Sequence, residues 1–332
     1  MRKEDIYTLL KSIQENILLL HHWDTDGVCS ARLLLEALSG KTIETRTPIL
    51  GNYYLTDEEL HTYASYTCII IVDMALPKDQ ILTLAQHVPI VIFDHHLQEE
   101  IPEVYHYNPI SKGASSDRFP SASWIINQFF ENPINLYALL GVLGDHEQRI
   151  KKNTLFSQYI QGFCHVNHLS FDDLLRMVYL IDSNYKLGDR TAVEQIPQFL
   201  LTHNTPQDIL THPDWNRNLI RLEQEITHQL ETPGEEQNNV IVKTINTPYN
   251  IISTITRKLA WDHNKDAVVV NTGFFSDRDQ IYVRSKKNMK PLIAIGKKLG
   301  FKAGGKQEVL GAIVPKEKTD SFLQEILTFL TT

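Results

Sequence analysis

The sequence predicts an α/β protein with a parallel sheet covered by helices on both faces, then a helical connector and a second, smaller α/β domain. Three observations support this fold class. Near-continuous apolar runs rich in β-branched residues alternate with helical patterns over residues 1–150, which is typical of parallel strands buried on both faces. Helical patterns alone then continue to about residue 230. Strand and helix patterns alternate again after residues 231–237, a polar segment with proline and glycine that we interpret as a linker.

The first domain is expected at residues 1–150. Its strands are predicted at residues 17–20, 42–50, 67–72 and 89–92. Its helices are predicted at residues 6–13, 30–38, 57–63, from Pro77 onward, at 121–130 and at 134–143. Pro77 supports the helix that it opens, since proline is favoured in the first turn. Gly40 closes the helix at residues 30–38.

The helical connector is expected at residues 151–237, with its clearest helices at 171–181 and 215–230. The second domain is expected at residues 238–332. Its strands are predicted at residues 240–245, 267–271, 280–285 and 309–314, and its helices at 251–261, 291–299 and 321–330. The sequence is therefore expected to form two α/β domains joined by helices.

The composition is that of an ordinary soluble protein, and we expect a cytoplasmic location. No apolar run approaches the roughly 20 residues needed to cross a bilayer, and residues 1–5 lack a secretory signal pattern. The three cysteines are set among apolar neighbours and are expected to be core residues in a reducing compartment. A net charge of -8 excludes an evenly basic nucleic-acid coat but permits a local basic groove. We expect no membrane partner.

Metal-ligating side chains follow the ends of the predicted strands. They are His22, Asp24 and Asp26 after the first strand, Asp73 after the third, His95 and His96 after the fourth, and Asp145 at a helix end. The carboxyl ends of parallel strands meet at one edge of a sheet, where α/β proteins bind their ligands. Side chains two residues apart in an extended segment share a face, so residues 22, 24 and 26 are expected to converge. Gly27 permits a tight turn into the next helix.

This set of side chains predicts a site for two divalent cations. Several carboxylates cannot share a cleft without cations, because like charges raise one another's pKa. Histidine and aspartate without thiolate suit manganese, with magnesium, cobalt or zinc as alternatives. The number of ligands favours two ions bridged by one aspartate and a water. In the alternative interpretation, each aspartate only caps the helix that follows it.

These residues also carry a resemblance to a known family. The segments His22-x-Asp24-x-Asp26-Gly27, Asp73, Asp94-His95-His96 and Gly144-Asp145 resemble, in order and spacing, the four motifs of the DHH phosphoesterase family, in a RecJ-like layout. Nearer the C-terminus, Arg284-Ser285 and residues 304–311 resemble the arginine motif and the GGHxxAAG motif of the substrate-binding domain associated with that family. The resemblance spans nearly the whole chain.

The resemblance implies a role for each of these residues. It implies that two manganese ions are held by His22, Asp24, Asp26, Asp73, His95 and Asp145, with Asp73 as the bridge. These carboxylates and His95 would act in catalysis together with His96, which contacts phosphate or assists as a ligand. Asp94 would orient a neighbouring imidazole by accepting its N–H. Substrate would be bound by His96, Arg284, Gly304, Gly305 and Lys306.

The expected function is that of a metal-dependent phosphodiesterase. It would hydrolyse phosphodiester bonds of single-stranded DNA or RNA, or of short oligonucleotides, through a water activated by the two ions. Residues 284–306 contain eight basic side chains and no acidic one, so this segment is expected to attract a phosphodiester. The alternative is a single solvated face. At residue 306 lysine stands where the family usually has histidine, and lysine has no ring to stack on a nucleotide.

Two other functions remain open. One is hydrolysis of a small phosphate compound, such as a cyclic dinucleotide, a nucleoside bisphosphate or, less favoured, pyrophosphate. Pyrophosphatases of this superfamily carry histidine where this chain has Leu20. The other is a non-catalytic replisome or interaction protein of the same superfamily, and a replication or repair protein is then a candidate partner. The complete ligand set favours an enzyme.

Overall fold

The computed structural model describes residues 2–305 and 307–331, so the predicted substrate-binding residue Lys306 lies outside the described residues. The chain forms two compact units. The first consists of residues 1–185 and 189–216, and the second of residues 186–188 and 217–332. The predicted α/β fold class is confirmed. The three-part division at residues 150 and 237 stays a prediction.

A parallel sheet forms the core of the first unit. Within the described residues its five strands are β1 (Ile17–His21), β2 (Ile43–Arg46), β3 (Cys68–Val72), β4 (Ile90–Phe93) and β5 (Tyr105–Tyr107). Their order is β2-β1-β3-β4-β5, and each neighbouring pair is parallel. Every residue of β1, β3 and β4 is buried. Apolar side chains on both faces of these strands therefore need helices to cover them.

Helices pack against this sheet. The helices up to residue 231 are α1 (Lys3–Ser12), α2 (Thr25–Ala37), α3 (Asp57–Tyr63), α4 (Lys78–Ala85), α5 (Ala122–Phe129), α6 (Leu136–His146), α7 (Thr154–Asn167), α8 (Phe171–Lys186), α9 (Arg190–Thr202), α10 (Pro206–Leu210) and α11 (Pro213–Glu231), and most of α11 belongs to the second unit. Leu18, Ile69 and Ile92 of the sheet pack with Ile81 of α4. Helix α2, buried over residues 25–35, contacts β1 and β3 and packs against α5 and α6.

Three strands at sheet edges differ from the predicted elements. The sequence pattern misses β5, because residues 105–107 offer no apolar run and only His106 is buried. Strand β2 is shorter than the predicted residues 42–50, and its side chains alternate between half-buried and exposed. The predicted linker at residues 231–237 contains β6 (Glu235–Gln237), whose residues are exposed and pair with the next strand. Edge strands are held largely by backbone hydrogen bonds and bury few side chains. Hydrophobic periodicity is therefore a poor guide to them.

A mixed sheet forms the core of the second unit. Its further strands in the described residues are β7 (Val240–Ile245), β8 (Asp266–Asn271), β9 (Arg278–Arg284), β10 (Lys302–Gly304) and β11 (Val309–Pro315). The order is β10-β11-β9-β8-β7-β6, with β7 and β8 parallel and the other pairs antiparallel. The helices after α11 are α12 (Ile252–His263), α13 (Lys290–Lys298) and α14 (Thr319–Thr331).

Both faces of the second sheet are also covered. Val268 of β8 packs with Phe322 of α14, whereas Val269 packs with Ile255 of α12. Successive side chains of a strand point to opposite faces, so the two helices lie on opposite sides of the sheet. Among residues 2–305 and 307–331, no helix is long and apolar enough to cross a membrane.

Candidate metal centre

The turn after β1 carries three of the predicted ligands, His22, Asp24 and Asp26. Helix α2 begins at Thr25, so Asp26 lies in its first turn and not in an extended segment. The predicted alternation of residues 22, 24 and 26 along a strand is therefore wrong. Asp24 is the N-cap of α2, and its Oδ1 accepts a hydrogen bond from Gly27 N at 3.1 Å.

Asp24 both caps α2 and faces a histidine. Its second oxygen, Oδ2, lies 2.9 Å from His22 Nδ1. Helix capping therefore explains only one of the two carboxylate oxygens. The Nε2 atom of His22 is buried and makes no hydrogen bond within the described residues. Since buried polar atoms normally have a partner, this nitrogen and the adjacent carboxylate fit a cation between them.

Asp73 follows β3 and joins two groups of side chains. Its Oδ2 lies 3.6 Å from His22 Nδ1, and its Oδ1 lies 3.3 Å from His95 Nε2. The backbone φ of Asp73 is 59°, in the left-handed region, where aspartate is tolerated better than most residues. Its amide N–H donates to the carbonyl of Phe93 at 3.0 Å, which ties this conformation to the neighbouring strand β4.

His95 follows β4 and faces two more carboxylates. His95 Nε2 lies 3.1 Å from Asp145 Oδ2 and 3.9 Å from Asp26 Oδ2. Asp145 lies in the last turn of α6. The structure thus brings together three overlapping groups, with ligand atoms within 4.8 Å of one another in each: His22, Asp24 and Asp73; Asp73, His95 and His96; and Asp26, His95 and Asp145. Every predicted metal ligand is in at least one group.

Asp94 lies against His96. Asp94 Oδ1 is 2.7 Å from His96 Nδ1, and its other oxygen accepts a hydrogen bond from Gln98. Burial alone would raise the pKa of Asp94, but the charge of His96 and its hydrogen bond hold this pKa below its usual value. An ionised Asp94 therefore fixes the orientation of the His96 ring.

The carboxylates of the cluster repel one another. Burial raises the pKa of Asp26 to about 7, and the charge of Asp145 adds to the shift. Burial likewise raises the pKa of Asp73 well above its usual value, helped by the charges of Asp26 and Asp24. For Asp24 burial acts in the same direction, but the charge of His22 outweighs it and lowers the pKa. Divalent cations would relieve this repulsion.

The donor set fits divalent cations. The groups offer carboxylate oxygens and imidazole nitrogens, and no cysteine takes part in them within the described residues. Such ligands suit manganese and magnesium better than the softer metals that prefer thiolate. The acidic and imidazole side chains are therefore placed for metal binding.

Two sets of hydrogen bonds that hold this site in place cannot be predicted from the sequence. Asp182 of α8 accepts hydrogen bonds through Oδ1 from Thr25 N at 3.0 Å and from Thr25 Oγ1 at 2.6 Å. The start of α5 donates to the Asp26 carboxylate from Ala122 N at 2.7 Å and from Ser123 N at 3.0 Å. Asp182 is 157 residues away from Thr25 in the chain, and no local pattern predicts such a pair. Both contacts hold the start of α2 in place.

Two glycines make room for this arrangement. A Cβ atom at Gly27 would lie 2.4 Å from the His22 carbonyl oxygen. A Cβ atom at Gly141 of α6 would lie 2.0 Å from Ser123 Oγ and 2.3 Å from Asp26 Oδ1. A larger residue at either position would displace a predicted ligand or the helix that carries it.

The other predicted substrate-binding residues lie in the second unit. Arg284 ends β9, is 8% exposed, and has its guanidinium carbon 4.9 Å from the centre of the Trp261 ring. Gly304 ends β10. Gly305 has a φ of 149°, and a Cβ atom there would lie 2.0 Å from the Val309 carbonyl oxygen. Glycine is therefore required at residue 305.

The basic segment at residues 284–306 is partly used within the second unit. Lys286 Nζ donates to Asn264 Oδ1 at 2.8 Å, and Lys287 Nζ donates to the Leu330 carbonyl oxygen at 2.8 Å, near the end of α14. In the described part of the segment, residues 284–305, the exposed lysines are Lys286, Lys290, Lys297, Lys298 and Lys302. The segment therefore supports the fold at two lysines and still presents positive charge to solvent.

Part of the first unit matches a known protein family. Residues 16–157 match the family model described as DHH family, N-terminal domain. The matched segment contains every predicted metal ligand. No curated protein matches the chain by sequence.

Solved structures share the fold at low sequence identity. Exonuclease RecJ bound to manganese has a TM-score of 0.68 and 13% identity, over 99% of this chain and 94% of the RecJ chain. RecJ from Thermus thermophilus in complex with Mn2+ has a TM-score of 0.72 and 14% identity. The match covers 99% of this chain but only 54% of the RecJ chain. The pGpG-specific phosphodiesterase PggH from Vibrio cholerae has a TM-score of 0.55 and 15% identity, over 95% of this chain and 98% of PggH.

Proposed function

We propose that the protein is a metal-dependent phosphodiesterase, because residues 16–157 match the family model described as DHH family, N-terminal domain. The observation that carries the proposal is the position of Asp73, whose two carboxylate oxygens face His22 on one side and His95 on the other. A carboxylate that faces two sets of ligands can bridge two cations. Paired cations are typical of enzymes that carry out displacement at phosphorus.

In this proposal His22 and Asp24 would hold one cation, Asp26, His95 and Asp145 would hold a second, and Asp73 would be shared between them. Three overlapping groups of these side chains support the proposal. Manganese suits this mixture of carboxylate and imidazole, with magnesium, cobalt or zinc as alternatives. RecJ structures carry manganese or magnesium, which supports the first two.

The residues of the chain supply orientation for the proposed reaction. When bound, divalent cations lower the pKa of water towards neutrality and neutralise charge on a phosphate. Because Nδ1 of His96 carries its hydrogen towards Asp94, Nε2 of the neutral ring keeps a lone pair that suits a cation, and Nε2 donates to a phosphate oxygen when the ring is protonated. The His96 side chain is 33% exposed, so a substrate can reach it.

The proposed substrates are single-stranded nucleic acid and short oligonucleotides. RecJ is named an exonuclease and PggH is named a pGpG-specific phosphodiesterase. These two names support a nucleic acid or a dinucleotide as the substrate. Phosphate binding in the second unit is assigned to Arg284, Gly304, Gly305 and Lys306. An arginine can grip a phosphate with two hydrogen bonds, and the exposed lysines attract the strand from a distance.

A hydrolysis assay on the full chain tests the proposal. The manganese-loaded protein is incubated with an end-labelled single strand, with pGpG and with pyrophosphate, each with and without EDTA. We expect hydrolysis of the strand, of pGpG or of both, and its loss in EDTA. Binding of the strand without hydrolysis of any substrate would overturn the proposal in favour of a non-catalytic role. Hydrolysis of pyrophosphate alone would overturn it in favour of a small-molecule phosphatase.

A further inference from the structure

An aromatic side chain lies beside the metal centre and has no part in the chemistry proposed above. Tyr53, in the loop between β2 and α3, is 64% exposed. Its ring centre lies 6.0 Å from that of His22, with 27° between the ring planes. A large ring is thus held next to a predicted metal ligand, with solvent over most of its surface.

Trp23 supports the Tyr53 ring from the protein side. The Trp23 side chain is 3% exposed, and its ring centre lies 5.2 Å from that of Tyr53 and 4.4 Å from that of His22. The three rings form one cluster that runs from the buried indole to the exposed phenol. A ring positioned by a buried neighbour loses little freedom when a ligand stacks on it.

We propose that Tyr53 is the stacking platform for the base of the nucleotide whose phosphate lies at the cations, an inference that rests on the proposed function. One sugar separates phosphate from base in a nucleotide. A phosphate bound beside His22 therefore brings its base within reach of the ring that lies beside His22. Every base has a π face, so an aromatic platform binds nucleotides with little regard to sequence.

A purely structural role for Tyr53 makes a different prediction. A ring that only covers His22 and Trp23 would act through the metal site, and its loss would weaken every phosphate ligand alike. A stacking platform contributes only to ligands that carry a base. AMP and ribose 5-phosphate differ by the base, so comparing them separates the two roles.

The experiment measures binding of AMP, ribose 5-phosphate and inorganic phosphate to the manganese-loaded full chain by isothermal titration calorimetry. Tyr53→Ala should weaken AMP binding about tenfold, which corresponds to about 1.4 kcal/mol. The affinities for ribose 5-phosphate and inorganic phosphate should not change. Tyr53→Phe keeps the ring and should retain the AMP affinity. Tyr7→Ala removes another exposed tyrosine, on α1, and should change none of the three affinities.

Salt supplies a second readout. Attraction of phosphate falls with salt, whereas stacking does not depend on counterion release, so the effect of Tyr53→Ala should be the same at low and high salt. An unchanged AMP affinity in Tyr53→Ala, or an equal loss for all three ligands, would overturn the platform and leave the proposed function intact. If the wild-type chain with manganese binds none of the three ligands and hydrolyses no phosphodiester, the proposed function fails and the platform fails with it.

Discussion

Asp73 faces both His22 and His95, so both proposed cation positions depend on it. We predict that Asp73→Asn removes manganese binding and hydrolysis together, because an amide has one neutral acceptor oxygen in place of two charged ones. The loss of metal affinity should exceed the roughly 10–100-fold that follows mutation of a group behind a ligand. Elemental analysis of the purified variant and its hydrolysis rate measure the two effects.

The matched control for this substitution is Asp79→Asn, at an exposed carboxylate in the first turn of α4. It should leave metal content and rate unchanged. Normal turnover by the manganese-loaded Asp73→Asn chain would exclude the bridging role.

The raised pKa of Asp26 makes metal binding depend on pH. Burial, with the charge of Asp145, raises this pKa from 3.8 to about 7. A cation must displace the proton below pH 7, so the apparent manganese affinity should rise about tenfold between pH 6 and pH 8 and then level off. The folding stability of the metal-free protein has the opposite dependence on pH. A raised carboxyl pKa stabilises the fold at low pH, and this contribution is lost as the pH rises through 7.

Titration calorimetry in two buffers of different ionisation enthalpy measures the protons released when manganese binds. We expect proton release at pH 6 that declines towards pH 8 as the carboxyl ionises in the free protein. The same affinity at both pH values, without proton release, would contradict the assignment of Asp26 to the metal site.

The candidate ligands of the metal centre are predictable from the sequence, but the residues that support them are not. Asp73 and His95 stand directly after apolar runs, and the ends of parallel strands meet at one edge whatever the rest of the chain does. Asp182 reaches Thr25 from a helix 157 residues away, through a contact that only the folded chain creates. For Asp26 the sequence predicts the ligand but not its backbone, which is helical and not extended.

Helix α6 approaches α2 and α5 closely because Gly141 has no side chain. We predict that Gly141→Ala destabilises the protein by about 1–3 kcal/mol, the usual range for overpacking, and lowers manganese affinity by displacing Asp26. Gly162→Ala on α7 is the control, since a Cβ atom there meets nothing within 4 Å. It should stabilise the helix by about 0.5–1 kcal/mol. Urea denaturation and manganese titration of both variants test this, and equal stabilities would show that α6 can shift freely.

Helix α8 holds the start of α2 through Asp182. We predict that Asp182→Ala destabilises the protein by about 1–3 kcal/mol, because the buried Thr25 N–H loses its acceptor. Manganese affinity should fall by roughly 10–100-fold, since Thr25 stands between two ligands. Asp182→Asn keeps an acceptor oxygen and should restore most of both quantities. If the alanine variant lost stability but bound manganese normally, Asp182 would support the fold and not the metal site.

The sequence pattern predicts the central strands, but among the edge strands it misses β5 and β6 and makes β2 too long. Strands β3 and β4 are apolar along their whole length, because both faces are covered. Strands β2, β5 and β6 each pair on one side only and bury few side chains. Their sequences therefore carry a weaker hydrophobic pattern than those of the central strands.

The two units have separate hydrophobic cores, so their unfolding can be followed separately. We predict two calorimetric transitions for the full chain, of which manganese raises only the one that belongs to the first unit. At a free concentration about one hundred times the Kd, the stabilisation should be about 2.7 kcal/mol for each cation bound. The Asp73→Asn variant shows which transition belongs to the first unit, because manganese should no longer raise that transition in this variant. A single transition that manganese shifts as a whole would show that the units unfold as one.

The assignment of helices to units shows where sequence patterns stop at the scale of the whole molecule. Trp215 at the start of α11 belongs to the first unit, whereas Leu222 packs with Ile241 and Ile255 of the second. The apolar period of α11 shows that one face is buried. It does not show which sheet or helix buries that face, because amphipathic helices of both units look alike in sequence.

The left-handed backbone at Asp73 limits which substitutions a lineage of such proteins can accept there. Glutamate would keep the charge but would strain the main chain, while asparagine is tolerated in this conformation. One base change in an aspartate codon gives asparagine. The easiest mutational step at this position therefore keeps the scaffold and abolishes the proposed chemistry, and an asparagine here in a homologue would mark an inactive descendant with an intact fold.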